Sequence, residues 1–350
     1  MILRSSLLVA VSAASCLAAG SASAAGLLYT LESSVTHPST DTCWDYIKME
    51  PKTNRLFMAR DKDGLTLFDV DAGKAVSTIG NSTGANGPLL LPQYNRGYVA
   101  MTDGSFLSFD LKTLKPIDRL KLDSNGGINS AIHDPLTKQV HAIVGTRPKE
   151  STWYTLDAAT GKLLKTTTFP FRKMDDPATD GKGRLFAPAR RDGLILTLDS
   201  KTLQEKARWT APCNVSKVRF QASTNRILAA CGGDKPMFFA VNPDTGAVVA
   251  QVPIGRGIDG FGIDEQRKRI VTSNGTDGTL TVIGQGGPDS YALLGTVSTS
   301  LGARMMTMDE RNGKLYVVNA TYTESAPDAS GSTNETYHPN SFVVMTFKPE

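Results

Sequence analysis

The sequence of 350 residues has few of the residues on which enzymes most often rely. It contains four histidines and four cysteines, and no two histidines stand at metal-ligand spacing on one strand or helix. It has no Gly-x-Ser-x-Gly segment, no Cys-His catalytic signature and no phosphate-binding glycine loop that leads into a helix. The common serine hydrolase, zinc protease and P-loop signatures are therefore absent from it.

Neither basic nor acidic residues are in large excess. The chain has 38 basic and 34 acidic residues, which gives a formal net charge of +4 at pH 7. A balance this close to neutral produces no extended positive field, and it disfavours nucleic acid as a partner.

Long apolar segments are confined to the N-terminus. An early cation, Arg4, is followed by an apolar run and then by Ala22-Ser23-Ala24, which fits the small-residue rule for signal cleavage. We predict a signal peptide over 1–25 and no transmembrane segment in the mature chain. Lipoprotein anchoring through Cys16 is the weaker alternative, because no bulky residue precedes that cysteine.

The sequence does contain one short segment that is repeated seven times, as GKLYVVNA from Gly313 and in six variant forms before it. Its third residues are Leu56, Gly97, Val140, Leu185, Ile227, Ile270 and Leu315. Their spacings are 41, 43, 45, 42, 43 and 45 residues. A period of this length with four strands per unit is typical of a propeller blade, so we predict an all-β, seven-bladed β-propeller.

The repeat also predicts turns and ring closure. Asp-Gly pairs follow the repeated segment in four units, at 63–64, 103–104, 192–193 and 277–278, and favour tight hairpins between second and third strands. The seventh unit ends after its third strand, whereas segment 26–34 precedes the first unit without a partner. We expect this segment to supply the outer strand of the seventh blade, within one domain over 26–350.

The LYVVN and TGK elements resemble those of the YVTN-type seven-bladed propellers, over nearly all of the mature chain. The resemblance implies a fold rather than one activity. The broad group includes periplasmic binding proteins, and the related superfamily includes lactonases and the large subunits of quinoprotein amine dehydrogenases. The last of these are also similar in carrying a disulfide within one blade.

Propeller sites usually gather at the face where loops enter the first strands and join second to third strands. Counting along the repeat places polar residues there, and we take as candidate ligand-binding residues Asp45, Asn129, Asp175, Arg190, Asp259, Arg304 and Asn319. Carboxylates, amides and guanidinium groups together suit a small polar or anionic molecule. The alternative for each residue is that it only binds water or satisfies a turn.

We predict no cofactor, because no spacing of residues in the sequence supports one. Asp45, Asn129, Asp175 and Asp259 carry the oxygen ligands that Ca²⁺ or another hard divalent cation prefers. The analogy with lactonase-like propellers, which hold a central metal, is the only basis for this hypothesis.

The three cysteines beyond the signal peptide predict one disulfide. Cys213 precedes the first strand of the fifth unit and Cys231 ends its second strand, and antiparallel neighbours bring such ends together. Cys43 is left over, and we expect a buried, inert thiol rather than a reactive one.

These observations favour a periplasmic or secreted, non-catalytic propeller that binds a small molecule or a periplasmic protein partner. We expect a monomer unless the chain belongs to a heteromeric complex. The alternative is an enzyme or enzyme subunit, either a metal-assisted lactonase or hydrolase, or an electron-transfer large subunit like that of amine dehydrogenases. The insertion over 321–340 should overhang the channel, with Tyr322 and Tyr337 either forming a lid or lying in a floppy loop.

Overall fold

The computed structural model describes residues 27–328 and 333–350. The signal peptide predicted over 1–25, its cleavage site and Cys16 lie outside these residues. Among the described residues, no helix is both long and apolar enough to span a lipid bilayer.

Seven four-stranded antiparallel sheets form the blades of a ring, as predicted. One strand, β1 (Tyr29–His37), precedes them in the chain. Blades 1 to 3 consist of β2 (Trp44–Met49), β3 (Arg55–Arg60), β4 (Gly64–Asp69), β5 (Lys74–Thr78); β6 (Ala85–Leu91), β7 (Arg96–Met101), β8 (Ser105–Asp110), β9 (Pro116–Lys121); β10 (Ile128–Asp134), β11 (Gln139–Val144), β12 (Ser151–Asp157) and β13 (Leu163–Phe169). A 3₁₀ turn, Pro92–Tyr94, joins β6 to β7.

Blades 4 to 6 follow the same order of strands. They consist of β14 (Ala178–Thr179), β15 (Arg184–Ala189), β16 (Leu194–Asp199), β17 (Glu205–Thr210); β18 (Val215–Gln221), β19 (Arg226–Cys231), β20 (Met237–Val241), β21 (Val248–Pro253); β22 (Ile258–Asp264), β23 (Arg269–Asn274), β24 (Thr279–Gly287) and β25 (Ser290–Ser298). Blade 7 contains β26 (Met305–Asp309), β27 (Lys314–Asn319) and β30 (Phe342–Pro349), and a separate hairpin of β28 (Tyr322–Glu324) and β29 (Glu335–Tyr337) is inserted before β30.

The N-terminal strand closes the ring, as the sequence predicts. β1 pairs antiparallel with β30, from Tyr29 opposite Pro349 to His37 opposite Phe342. The seventh blade therefore has the order β1-β30-β27-β26, and the two ends of the described chain meet in one sheet. This pairing covers the edge that β30 would otherwise expose.

Turn chemistry repeats with the blades. In the four Asp-Gly turns, Gly64, Gly104, Gly193 and Gly278 have φ values of +78°, +86°, +62° and +60°, which residues with a Cβ rarely adopt. Third strands end in Asp or Asn whose side chains accept hydrogen bonds from the backbone N–H two residues further on, at Asp69, Asp110, Asp157, Asp199 and Asn242. In every blade that contains them, these turn residues favour the same hairpins that the fold requires.

A β-bulge recurs near the start of the first strands. Where β6, β10, β18 and β22 pair with their second strands, the register shifts leave one residue of each unpaired, namely Asn86, Asn129, Ser216 and Asp259. In blade 1, Asp45 and Tyr46 lie opposite the single residue Ala59. A bulge redirects the side chain of the extra residue, and here this position lies at the channel mouth. Below, the upper face is the one at which first strands begin, and the lower face is the one at which they end.

Candidate functional site

Lys217 lies at the centre of a set of charged side chains that crosses the channel. Its Nζ is 3.0 Å from Asp259 Oδ1 and 3.5 Å from Asp176 Oδ2, and it lies 4.5 Å from the ring centroid of Tyr46. Lys217 belongs to blade 5 and Tyr46 to blade 1, so this contact joins opposite parts of the ring. Burial alone would lower the pKa of Lys217, but the carboxylates of Asp259 and Asp176 outweigh it and raise that pKa.

Asp175 forms the second part of this set. It is fully buried, and its Oδ2 accepts hydrogen bonds from Asn129 Nδ2 at 2.7 Å and Arg190 Nη1 at 3.1 Å. Lys173 Nζ lies 3.7 Å from the same oxygen. Asp175 Oδ1, by contrast, has no hydrogen-bond partner among the described residues. One carboxylate therefore faces two cations and an amide at the upper face.

Asp176 extends the set towards the lower face. It adopts a left-handed conformation with φ of +62°, which Asp tolerates better than most residues. Its Oδ1 accepts a hydrogen bond of 3.0 Å from Arg219 Nη1. Burial would raise the pKa of Asp176, but Arg219 and Lys217 outweigh it and lower the value to about 2.

Asp45 differs from its neighbours because it makes no hydrogen bond or ion pair with any residue of the described ranges. Burial and, next, the negative charge of Asp259 raise its pKa to about 7, while Lys217 and Arg304 act in the opposite direction. For Asp259, burial is outweighed by Lys217, and its pKa is lowered. Of these two carboxyl groups, Asp259 is ionised at neutral pH and Asp45 titrates there.

Arg304 connects the site to the seventh-blade insertion. Its Cζ lies 5.5 Å from the ring centroid of Trp44, and its Nη2 donates a hydrogen bond of 3.3 Å to Trp44 O. Glu335 of β29 approaches Arg304 Nη1 to 3.9 Å, and Tyr337 packs edge-on against Trp44 with 5.0 Å between centroids. The β28–β29 hairpin thus overhangs the channel mouth.

Asn319 lies apart from this set. Its Nδ2 donates hydrogen bonds of 2.9 Å to Ser300 Oγ and to Leu301 O. It therefore holds the loop that leads into blade 7. Of the seven candidate residues, six converge around the channel and Asn319 does not; ligand binding by any of them stays a prediction.

An open cleft of about 330 Å³ lies on the upper face between blades 4 and 5. This upper cleft is lined by Lys173, Arg190, Arg191, Asn214, Ser216, Gly232 and Gly233. Arg191 is exposed and makes no hydrogen bond or ion pair within the described part of the chain. Arg190 Nη2 lies 3.4 Å from Ser216 Oγ. The cleft is basic, because Asp175 is the one carboxylate that contacts any of its cations in the described ranges.

The predicted cysteine pair frames this cleft. Cys213 and Cys231 lie at disulfide distance, with 6.0 Å between their Cα atoms. Asn214 and Gly232 follow these cysteines directly in the chain, so the bridge ties two walls of the cleft together. Cys43 is a free thiol and is half-buried, and burial followed by the charge of Asp61 raises its pKa.

Within residues 27–328 and 333–350, no three His, Cys, Asp or Glu side chains form a group that could hold a metal ion. Oδ2 of Asp175 and both carboxylate oxygens of Asp259 face Lys and Arg side chains instead. The calcium site stays a hypothesis. His141 is fully buried with its Nδ1 3.0 Å from Thr155 Oγ1, whereas His338 is exposed.

Sequence reasoning missed Tyr46, Lys173, Asp176, Lys217 and Arg219. Tyr46 immediately follows the candidate Asp45, and Lys217 follows Ser216 at the equivalent position of the fifth unit, so a bulge at those positions was the available signal. Asp176 and Lys173 lie in the loop before β14, where the repeat offers no register.

The sequence matches no family model and no curated protein. A chain of the solved structure "Crystal Structure of Mitotic Checkpoint Complex" is similar, with a TM-score of 0.69, 12% identity, and coverage of 99% of this chain and 98% of that one. A chain of "Kuenenia stuttgartiensis Hydrazine Synthase" has a TM-score of 0.68 and 13% identity, and covers 86% of this chain and 97% of that one. At these identities the similarity establishes the fold, a seven-bladed β-propeller, and nothing finer.

Proposed function

We propose that this protein binds a small anionic molecule in the upper cleft, without converting it. The observation that carries the proposal is the excess of cations. Lys173, Arg190 and Arg191 line the cleft, and Asp175 offsets only part of their charge. Guanidinium groups bind carboxylates and phosphates through paired hydrogen bonds, and an exposed arginine without a partner is available for this.

The walls of the upper cleft support the same proposal. Gly232 and Gly233 present backbone without side chains, and a Cβ at Gly233 would meet nothing within 4 Å. A ligand can therefore approach the main chain closely there. The volume of about 330 Å³ lies at the lower end of the range for small-molecule sites, so we expect a compact ligand such as a di- or tricarboxylate or a phosphate ester.

The test is calorimetric titration of the mature protein with citrate and with inorganic phosphate. We expect Arg191→Gln and Arg190→Gln to weaken binding at least about tenfold each, since a hydrogen bond to a charged group contributes roughly 1.5–3 kcal/mol. Arg119→Gln is the matched control. Arg119 lies on an outer strand and pairs with Asp103, so this substitution should leave binding unchanged. Absence of binding at millimolar concentrations, or equal affinity in Arg191→Gln, would contradict the proposal.

Acid–base catalysis is the second candidate function, and Asp45 favours it. A carboxyl group with a pKa of about 7 and no partner among the described residues is suited to accept or donate a proton at neutral pH. Recovery of the bound anion after incubation separates the two functions. An unchanged ligand supports binding alone, whereas conversion that Asp45→Asn abolishes supports an enzyme.

We also propose export of the chain to the periplasm or cell exterior, with a YVTN-like propeller as the mature product. The leader over 1–25 and the cysteine pair are both typical of exported proteins. The N-terminal residue of the protein recovered from its native host tests this. A mature chain that begins after Ala24 or Ala25 is expected, and an uncleaved Met1 would contradict it.

A protein partner at the upper face is the other occupant to test. One structural neighbour is a chain of the mitotic checkpoint complex, an assembly, and propellers present loops from every blade at one face. Size-exclusion chromatography of the native-source protein distinguishes a monomer from a heteromeric complex.

A further inference from the structure

The channel has a second chamber at its lower face, on the other side of the charged side chains. Two cavities of about 300 and 310 Å³ both touch Lys48 and Leu89, so they flank the same lysine. We call them together the lower chamber. Their remaining walls come from the lower ends of the inner strands and from the loop before β14, and apolar residues such as Met308 and Phe220 contribute to them.

Lys48 is the amine that projects into this chamber. It lies on β2, one residue before the strand ends, and its side chain is exposed to the channel rather than packed in a blade. Within the described ranges the Lys48 ammonium makes no hydrogen bond and no ion pair. An exposed lysine whose side chain has no partner among the described residues is a group that the fold itself does not use.

The acids around Lys48 are mostly engaged by other cations. Glu50 pairs with Arg55, and Asp309 pairs with Arg311 at 2.7 Å. Asp176 accepts from Arg219 at 3.0 Å, as described above. Glu310, the remaining acid of the chamber, is exposed at its rim. No carboxylate of the described residues therefore lies within ion-pair distance of the Lys48 ammonium.

The cations of the chamber act on Lys48 from the opposite wall. Arg219 lines the same cavity, with Lys217 above it on the same strand. His133 on β10 also lines it, but burial lowers the pKa of that imidazole and leaves it mostly neutral at pH 7. Desolvation and, next, the Arg219 charge lower the pKa of Lys48 to about 8, although Asp176 and Glu310 act in the other direction. A substantial fraction of its amine is then neutral near physiological pH, and a neutral amine is a nucleophile.

We propose that Lys48 binds small 2-oxo acids covalently in the lower chamber, by forming an imine with their carbonyl group. Nζ adds to the carbonyl carbon, and one of its protons moves to the carbonyl oxygen to give a carbinolamine. Loss of water then leaves a carbon–nitrogen double bond, so an amine and a carbonyl become an imine and water with no oxidant or reductant. Arg219 supplies the partner for the ligand carboxylate, since its described hydrogen bonds all involve Nη1 and leave Nη2 available.

Glyoxylate is the probe, and sodium cyanoborohydride traps the imine by supplying a hydride. The mature protein is treated briefly at pH 7, digested, and the modified lysines are quantified by mass spectrometry. An amine of pKa about 8 has about 300 times more neutral form at pH 7 than an ordinary lysine near 10.5. Allowing for its lower intrinsic nucleophilicity, we expect Lys48 to react at least about tenfold faster than Lys52.

Lys52 is the internal control, because it lines the rim of the same chamber in the turn that follows β2. Modification of Lys48 should level off above about pH 8. Acetaldehyde should label Lys48 more slowly than glyoxylate, and this preference should fall in Arg219→Lys. Lys48→Met should lose the fast site and leave binding of citrate in the upper cleft unchanged, so the two proposals fail independently.

Modification of Lys48 no faster than Lys52 would overturn the proposal, and that measurement needs no variant. Equal labelling by acetaldehyde and glyoxylate would overturn the assignment to 2-oxo acids.

Discussion

Asp45→Asn provides the sharpest test of the electrostatics in the channel. Burial and Asp259 raise the pKa of Asp45 from 3.8 to about 7. Since its folded-state pKa lies above its unfolded value, the folded protein prefers the protonated carboxyl. The stability that this preference contributes is fully present below about pH 4 and is lost as the pH rises through about 7. Asparagine has a similar shape and never ionises, so the variant should not show this loss.

The size of the effect follows from the shift. A change of about 3 pKa units corresponds to about 4 kcal/mol at 1.36 kcal/mol per unit. Asp45 retains partial contact with solvent at the channel mouth, which screens its interactions, so we expect about 2–4 kcal/mol. Asp45→Asn should therefore lie closest to the wild type at the acidic end of the range, near pH 4.5, and exceed its free energy of unfolding by this amount at pH 8.

The difference between the two proteins is the proper quantity, because histidines act in the opposite sense. Burial lowers the pKa values of His37, His133 and His141, the last to about 4. The stability they contribute is present above about pH 6.5 and is lost as the pH falls. These histidine contributions to the free energy of unfolding are the same in wild type and variant, so they cancel in the difference.

Urea unfolding from pH 4.5 to 8.5, followed by tryptophan fluorescence with the disulfide intact, measures the two curves. Asp118→Asn, which removes an exposed carboxylate on outer strand β9, is the control for the loss of a surface charge. A constant difference for Asp45→Asn between pH 5 and pH 8 would refute the reasoning, as would a wild type that is the more stable protein at pH 8.

Two further substitutions test the fold. In Gly97→Ala, the new Cβ would lie 2.1 Å from Cζ of the fully buried Phe109, so we expect a loss of about 2–3 kcal/mol by urea unfolding. Gly145→Ala, whose Cβ would meet its nearest atom at 3.8 Å, should change stability by less than about 0.5 kcal/mol, and equal effects at both sites would contradict the steric argument. Cys213→Ser should lower the free energy of unfolding by about 3 kcal/mol, given a separation of 18 residues, and Cys43→Ser by much less. A wild type whose stability is unaffected by reductant would argue against that contribution.

The repeat predicted the blades because each one needs the same second strand. The exception within the repeat, Gly97, is explained only by the structure: the Phe109 ring fills the space that Leu, Val or Ile takes at the equivalent position elsewhere. Closure by β1 was predictable because the seventh unit lacked one strand and the N-terminal segment lacked a partner. Both inferences depend on local patterns and strand counting, which a single sequence contains.

The candidate site was predictable only in part, for a geometric reason. Alignment of the repeat locates a residue along its strand, and this placed Asp45, Asn129 and Asp259 at the channel mouth. It does not show which side chains reach across the ring. Lys217 and Tyr46 are 171 residues apart, and their contact depends on the channel radius and on side-chain length. No periodicity in the sequence encodes such a distance.

The strongest functional features occur where the blades depart from the common pattern. The first strand of blade 4 is only two residues long. Lys173, Asp175 and Asp176 therefore lie in a loop rather than in a strand that pairs with its neighbour. That loop forms one wall of the upper cleft and, through Asp176, part of the lower chamber. Blades 2, 3, 5 and 6 keep the bulge in a paired first strand, whereas blade 4 places three charged groups in a loop. A regular ring supplies the frame, and the loop before its shortened strand adds Lys173 to the upper cleft and Asp176 to the lower chamber.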